Sequence, residues 1–213
     1  MQANADRLQE AICEGVSYAR ICGILHEIER NLLESTISVA DVINHVTSDA
    51  NDDRHNSLLL AVSLGNVAVA RLLIQNGGDV EMMSEPGQGP LAAAVYYGNM
   101  EMIKWMVEEA SANPNAIASA GTKMLSAASY TGRLEVVKYL IEDAKMSRHL
   151  LTAQGMSALY LACQGENLSL LKYLVESVGL TPSEDLSLDS THPSLLEESD
   201  WDDDVINYLQ IHM

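Results

Sequence analysis

The phrase GRLEVVKYLIED at residues 132–143 returns as ENLSLLKYLVES at 166–177, and it is preceded by GNMEMIKWMVEE at 98–109 and GNVAVARLLIQN at 65–76. Such self-similarity constrains a chain more than any single motif, because it points to one supersecondary unit built several times over. Two further columns keep the same register. Leu58, Leu91, Leu125 and Leu159 are spaced 33, 34 and 34 residues apart, and Ala61, Ala94, Ala128 and Ala162 follow three residues later. Seven residues after the Leu comes Gly65, Gly98 or Gly132, then an apolar run such as Leu134, Val137, Leu140 and Ile141 at helical spacing. Each unit reads as helix, tight turn, helix. One such pair cannot cover its own apolar face, so neighbours must stack, and the Ala column marks where adjacent backbones approach too closely for a larger side chain.

These residues resemble the ankyrin repeat, whose period is about 33 and whose pattern runs turn, T-P-L-H-x-A-A-x-x-G, second helix. NSLLLAVSLGNVAVARLLIQNGGD and GPLAAAVYYGNMEMIKWMVEEASAN look most like it, and the resemblance covers residues 50–178 in four units. It implies an all-α solenoid of stacked helix-turn-helix units with turn or hairpin tips. The chain departs from the pattern in places: Leu59, Ala92, Ser126 and Tyr160 replace the His, Pro survives only as Pro90, and the last unit has Glu166 where Gly is expected, with Gly165 one place early. Each side-chain bond lost this way is worth about 1 kcal/mol, so packing is expected to carry the fold.

The ends follow the pattern less closely. Leu8, Ala11, Gly15, Cys22 and Leu25 keep a similar register, so residues 1–50 read as an N-terminal capping unit, with Ser38 opening an inserted or lengthened helix. Residues 51–180 hold the four repeats. Residues 181–213 read as an acidic loop, a weak helix from about Ser194, and a closing cap helix whose apolar stripe is Val205, Ile206 and Leu209, with Asp202, Asp203 and Asp204 at its start.

The chain has 213 residues and a formal charge of −18, and nine of its acids, with no Lys or Arg, lie in 181–213. Such a balance repels phosphate backbones and anionic headgroups, so neither nucleic acid nor a membrane is expected as a partner. Cys13, Cys22 and Cys163 form no CxxC and are odd in number, which fits a reducing compartment, and the N-terminal MQANADRLQEAICEG has no apolar export segment. A cytoplasmic location is expected, with delivery into a host cytosol or a nuclear location left open.

No constellation for catalysis, no cofactor fingerprint and no metal set is expected. His26, His45, His55, His149, His192 and His212 are scattered, HEIER lacks the second His of HExxH, and no phosphate-binding loop occurs. GQG at 87–89 reads as a hairpin turn that uses glycine's positive φ. Cys163, beside Ala162, is expected to be a buried structural thiol, although with Gln164 it is also the one conceivable small-molecule or catalytic site. Met100, Met102 and Met106 share a helix with Ile103 and are expected in the core.

Recognition in ankyrin-like stacks uses the concave face, made of turn tips and the outward side of the first helices. The resemblance therefore places partner contacts just before the turn glycine: Ser63 and Leu64, Tyr96 and Tyr97, Tyr130 and Thr131, Gln164 and Gly165. The tips add Asp52, Asp53 and His55, then Glu85 and Gln88, Ser119 and Thr122, and Ala153, Gln154 and Met156. Tyr96, Tyr97 and Tyr130 stand out, since tyrosine offers large contact area at low entropic cost. Trp201 within EESDWDDD is a further candidate, as a contact for a basic partner or as a side chain packed on the last repeat. The expected activity is non-enzymatic binding of a protein partner of basic or mixed charge. The alternative is an inhibitor whose acidic C-terminal segment masks a basic partner.

Overall fold

A computed structural model describes residues 1–33, 35–48, 54–83, 89–114, 118–149, 156–182 and 201–212; of these, the side chains of 48, 54 and 118–123 are not described. The chain divides into two compact units, Met1–Asn113 and Pro114–Met213. The first unit contains α1 (Gln2–Cys13), α2 (Tyr18–Asn31), α3 (Val39–Ile43), a two-residue pair β1 (Thr47–Ser48) and β2 (Arg54–His55), α4 (Ser57–Ser63), α5 (Val67–Gln75), α6 (Pro90–Tyr97) and α7 (Met100–Glu108). The second contains α8 (Ala118–Tyr130), α9 (Leu134–Lys138), α10 (Ala158–Gln164), α11 (Leu168–Lys172) and α12 (Asp203–His212). Both α9 and α11 run on through a π turn, Tyr139–Asp143 and Tyr173–Ser177. Within each unit the short helices pair and stack as an ankyrin-type solenoid does.

The columns read from the sequence form the core. Leu58, Leu91, Leu125 and Leu159 are at most 6% exposed, and all four column alanines are fully buried. Each alanine has a second task. The backbone N–H of Asn66, Asn99, Arg133 and Asn167 donates to the carbonyl of Ala61, Ala94, Ala128 and Ala162 at 2.9–3.1 Å, closing the turn between the paired helices. That closure requires a left-handed residue, and Gly65, Gly98 and Gly132 supply it with φ of 71°, 69° and 65°. In the last unit Glu166 takes the conformation itself, with φ of 54°. Gly165 is needed there for another reason: a Cβ on it would lie 2.1 Å from the carbonyl oxygen of Tyr130. The N-terminal pair obeys the same rule, with Gly15 at φ 66° and Val16 donating to Ala11.

A second left-handed column closes the second helices: Gly77, Ser111, Lys145 and Gly179, spaced 34 residues apart. It also accounts for the uneven period. Gly77 follows the left-handed turn residue of its repeat by 12 residues, whereas Ser111, Lys145 and Gly179 follow theirs (Gly98, Gly132 and Glu166) by 13. The extra residue sits in the second helix: Ala112, Met146 and Leu180 donate six residues back, to Met106, Leu140 and Leu174, while Gly78 donates five back, to Leu73. In α9 and α11 it is absorbed by the π turn, which is how a helix accommodates one inserted residue.

Side-chain caps open two of the first helices and two of the second. Asn56 and Ser157 accept the N–H of Leu59 and Tyr160 at the starts of α4 and α10, and Asn66 and Asn99 do the same for α5 and α7. Ser38 opens α3 through a reciprocal capping box with Asp41, so the inserted helix is present. The buried surface of the second helices differs in detail from the sequence pattern: Val136, Val137 and Leu140 are buried, while Leu134 and Ile141 are half-buried. Met102, Ile103 and Met106 are fully buried core residues, and Met100 is half-buried.

Aromatic side chains link successive second helices. In the first unit Arg71 lies 4.9 Å from the Trp105 ring centre and forms a two-point ion pair with Glu109. In the second, Tyr173 donates to Glu142 at 2.7 Å while Lys138 lies 5.7 Å from its ring. Tyr208 of α12 repeats this arrangement with Glu176 at 2.9 Å and Lys172 at 5.8 Å. Val205 and Leu209 are 1% exposed, so α12 covers the last pair as a further second helix would; Ile206 is half-buried. The segment from Ser194 lies outside the described residues.

Candidate partner-binding face

The first helices owe their outward face to the same register that buries their core. With the Leu column and the alanine three residues later pointing inward, the positions five and six residues after the Leu point out. Leu64, Tyr96, Tyr97 and Tyr130 occupy these positions and are 55%, 56%, 53% and 56% exposed. Four of the eight exposed large hydrophobic side chains among the described residues thus fall in two adjacent repeat positions. In the first unit Tyr96 and Tyr97 meet edge to face, with ring centres 5.3 Å apart and planes at 89°. That arrangement fixes two amphipathic rings in the open without burying either. In the second unit Tyr130 closes α8, followed by the exposed Thr131, and Gln164 is exposed with its amide donating to the Tyr160 hydroxyl at 3.0 Å.

The first helices of both units are also electrostatically distinct. No Asp, Glu, Lys, Arg or His occurs in α4, α6 or α10, whereas α5, α7, α9 and α11 all carry charge. The acidity of the chain therefore resides elsewhere: these three helices offer apolar and hydroxyl surface, α8 carries the single charge of Lys123, and only α1 of the N-terminal pair is acidic.

The tip residues divide. His55 is half-buried on β2, which pairs antiparallel with β1 through Thr47 opposite His55. Gln9 holds the tip's base, accepting from the Thr47 hydroxyl and donating to the His45 carbonyl at 3.4 Å. Met156 is half-buried just before the Ser157 cap. Asp52, Asp53, Glu85, Gln88, Ala153 and Gln154 lie outside the described residues. Ser119 and Thr122 are not at a tip: α8 begins seven residues before Leu125, whereas α4, α6 and α10 begin one residue before their Leu, because ASAGTK contains no proline and no capping residue next to the column. Gly89 also departs from expectation. Its φ is −96°, and it serves as the N-cap of α6 ahead of Pro90.

Trp201 is 9% exposed and packs edge-on against Tyr160, with centres 6.1 Å apart, so the closed fold uses it for packing and not as an exposed contact. Cys163 is fully buried, and burial pushes its thiol up to about 12, which removes the thiolate a nucleophile needs. No group of three or more metal-ligating side chains forms among the described residues.

No helix among the described residues is long and apolar enough to cross a membrane. Among curated proteins the chain finds no match. The family model for ankyrin repeats (3 copies) matches three times in overlapping register, over residues 26–118, 58–149 and 91–185. The matched stretch, 26–185, includes both turn columns from Gly65 to Gly179 and the helix pairs from α4 to α11, and it spans well over half of the chain. The chain belongs to the ankyrin-repeat family.

Proposed function

We propose that this protein is a non-enzymatic binding module that holds a protein partner on the first-helix and turn-tip surfaces of its repeats. Ankyrin repeats are in general protein–protein interaction modules, and the family is typically non-catalytic. The observation that carries the reading is the exposure of Leu64, Tyr96, Tyr97 and Tyr130 in two adjacent repeat positions at the ends of helices almost free of charge. Exposed aromatic anchors on a rigid scaffold are what interfaces are built around. Residues 1–50 act as the N-terminal cap in this reading, 51–180 as the four binding repeats, and 181–213 as the acidic closing segment. The charge of −18 favours a partner of basic or mixed charge, steered by the field of the whole molecule. Three free cysteines support a reducing compartment such as the cytoplasm.

The test is a pull-down with the full chain beside a Tyr96→Ala, Tyr97→Ala, Tyr130→Ala variant whose circular dichroism matches wild type. A partner captured by wild type and lost by the variant is the expected result. Equal capture by both proteins contradicts the reading.

A further inference from the structure

The first-helix face changes character along the first unit, and we infer that it reads a partner segment with a cationic side chain at one end and an apolar or aromatic one at the other. The inference rests on the first-helix face being the binding face. Leu8, Leu58 and Leu91, all buried, set one register for α1, α4 and α6. In that register Glu10, Cys13 and Glu14 of α1 stand where Leu60, Ser63 and Leu64 stand at α4, and where Ala93, Tyr96 and Tyr97 stand on α6.

Backbone geometry supports the equivalence. Gly15, Gly65 and Gly98 share the left-handed conformation, and the next residue donates to the carbonyl of Ala11, Ala61 or Ala94. α4 packs against α1 and against α6, so the three outward sets lie in sequence. They run acidic, aliphatic, aromatic. Glu10 and Glu14 are both exposed and form no ion pair among the described residues, in contrast to Glu27, held by Arg7 at 2.8 Å, and Glu109, held by Arg71. The face therefore has one anionic end and one aromatic end, with Leu64 between them.

Stacked helices lie about 8–10 Å apart, so the two ends are separated by two such steps, about 16–20 Å. An extended segment rising about 3.3 Å per residue covers that in about five or six residues. The matching chemistry is a Lys or Arg placed at that distance from a Leu or aromatic side chain. The tyrosine end supplies most of the affinity, because an exposed ion pair adds little. The glutamate end fixes which way the segment runs and makes association sensitive to salt.

The experiment pans a phage-displayed random library of peptides about 12 residues long against the immobilised full chain. Enriched sequences are expected to place Lys or Arg about five or six residues from an apolar or aromatic side chain. The best peptide should bind about tenfold more weakly to the Tyr96→Ala, Tyr97→Ala variant. A Glu10→Gln, Glu14→Gln variant should lose about threefold and most of the salt dependence. If enriched peptides lack the cation, or bind the glutamine variant unchanged, the polarity is overturned while the face stands. Peptides indifferent to the tyrosine pair overturn both the polarity and the face, and a library that yields no enrichment counts against the polarity.

Discussion

Single residues show where one sequence speaks and where it is silent. The leucine, alanine and turn-glycine columns were legible because packing and positive φ each restrict the side chain to very few types. The second left-handed column was not, because two of its four members are Ser111 and Lys145, residues that give no hint of φ of 61° and 55°. The last turn adds a further lesson. Glu166 carries the left-handed conformation and Gly165 the close approach, so glycine appears one place early for a steric reason and the strain falls on its neighbour. Glu166→Gly and Lys145→Gly should each stabilise the protein by about 1 kcal/mol, since an L-residue in this conformation costs about 1–2 kcal/mol and glycine's greater unfolded-state freedom returns part of it. Gly165→Ala should destabilise by more than that, because its new Cβ meets backbone. Urea denaturation of the three variants decides, and a destabilised Glu166→Gly contradicts the account.

Helices carry the uneven period and the links between successive repeats within each unit. The phrases KYLIE and KYLVE read in sequence only as amphipathic helix, yet the structure gives each letter a place: Lys over the next tyrosine ring, Glu accepting from its hydroxyl. In α12 the same positions read NYLQI, so Tyr208 completes the link behind it while Asn207 and Ile211 offer no Lys or Glu beyond. Burial first, and then the hydrogen bond to its glutamate, raise both phenols above the ordinary value of 10, Tyr208 to about 12. A folded pKa above the unfolded one means that the stability is fully present below pH 10 and is lost as pH rises toward the folded values. Alkaline titration followed by circular dichroism and phenolate absorbance should show this loss, and it should shrink in a Tyr173→Phe, Tyr208→Phe variant. The π turn predicts that deleting Asp143 is tolerated, shifting Tm by no more than about 4 °C, since the unit then matches the 33-residue spacing of the first repeat. Deletion of Ala127 in α8 should unfold the second unit, because it rotates the Leu and Ala columns off their shared face. Equal effects of the two deletions in thermal denaturation would contradict the explanation of the period.

At the scale of the molecule, a chain of net charge −18 keeps charge off the first helices of its repeats, except for Lys123 in α8, and carries it on the second helices, the segments that join the repeats and the ends. That distribution was readable in part: the tyrosines before the turn glycine could be picked out by register alone, and the structure places them in solvent. Trp201 could not be assigned in the same way, because a tryptophan among carboxylates looks alike whether it is exposed or, as here, packed on Tyr160. The acidic field should govern the association rate and its salt dependence, while the tyrosine positions govern dissociation. Stopped-flow measurement on any captured partner should therefore show a rate constant for association that falls with added salt, with the tyrosine variant changed mainly in dissociation. The most direct test of the central claim is a hydrogen-exchange footprint of the full chain with and without that partner. Protection should appear over 60–64, 93–97 and 127–131, at the ends of the first helices. Protection confined to the second helices, 67–75 and 100–108, would contradict it.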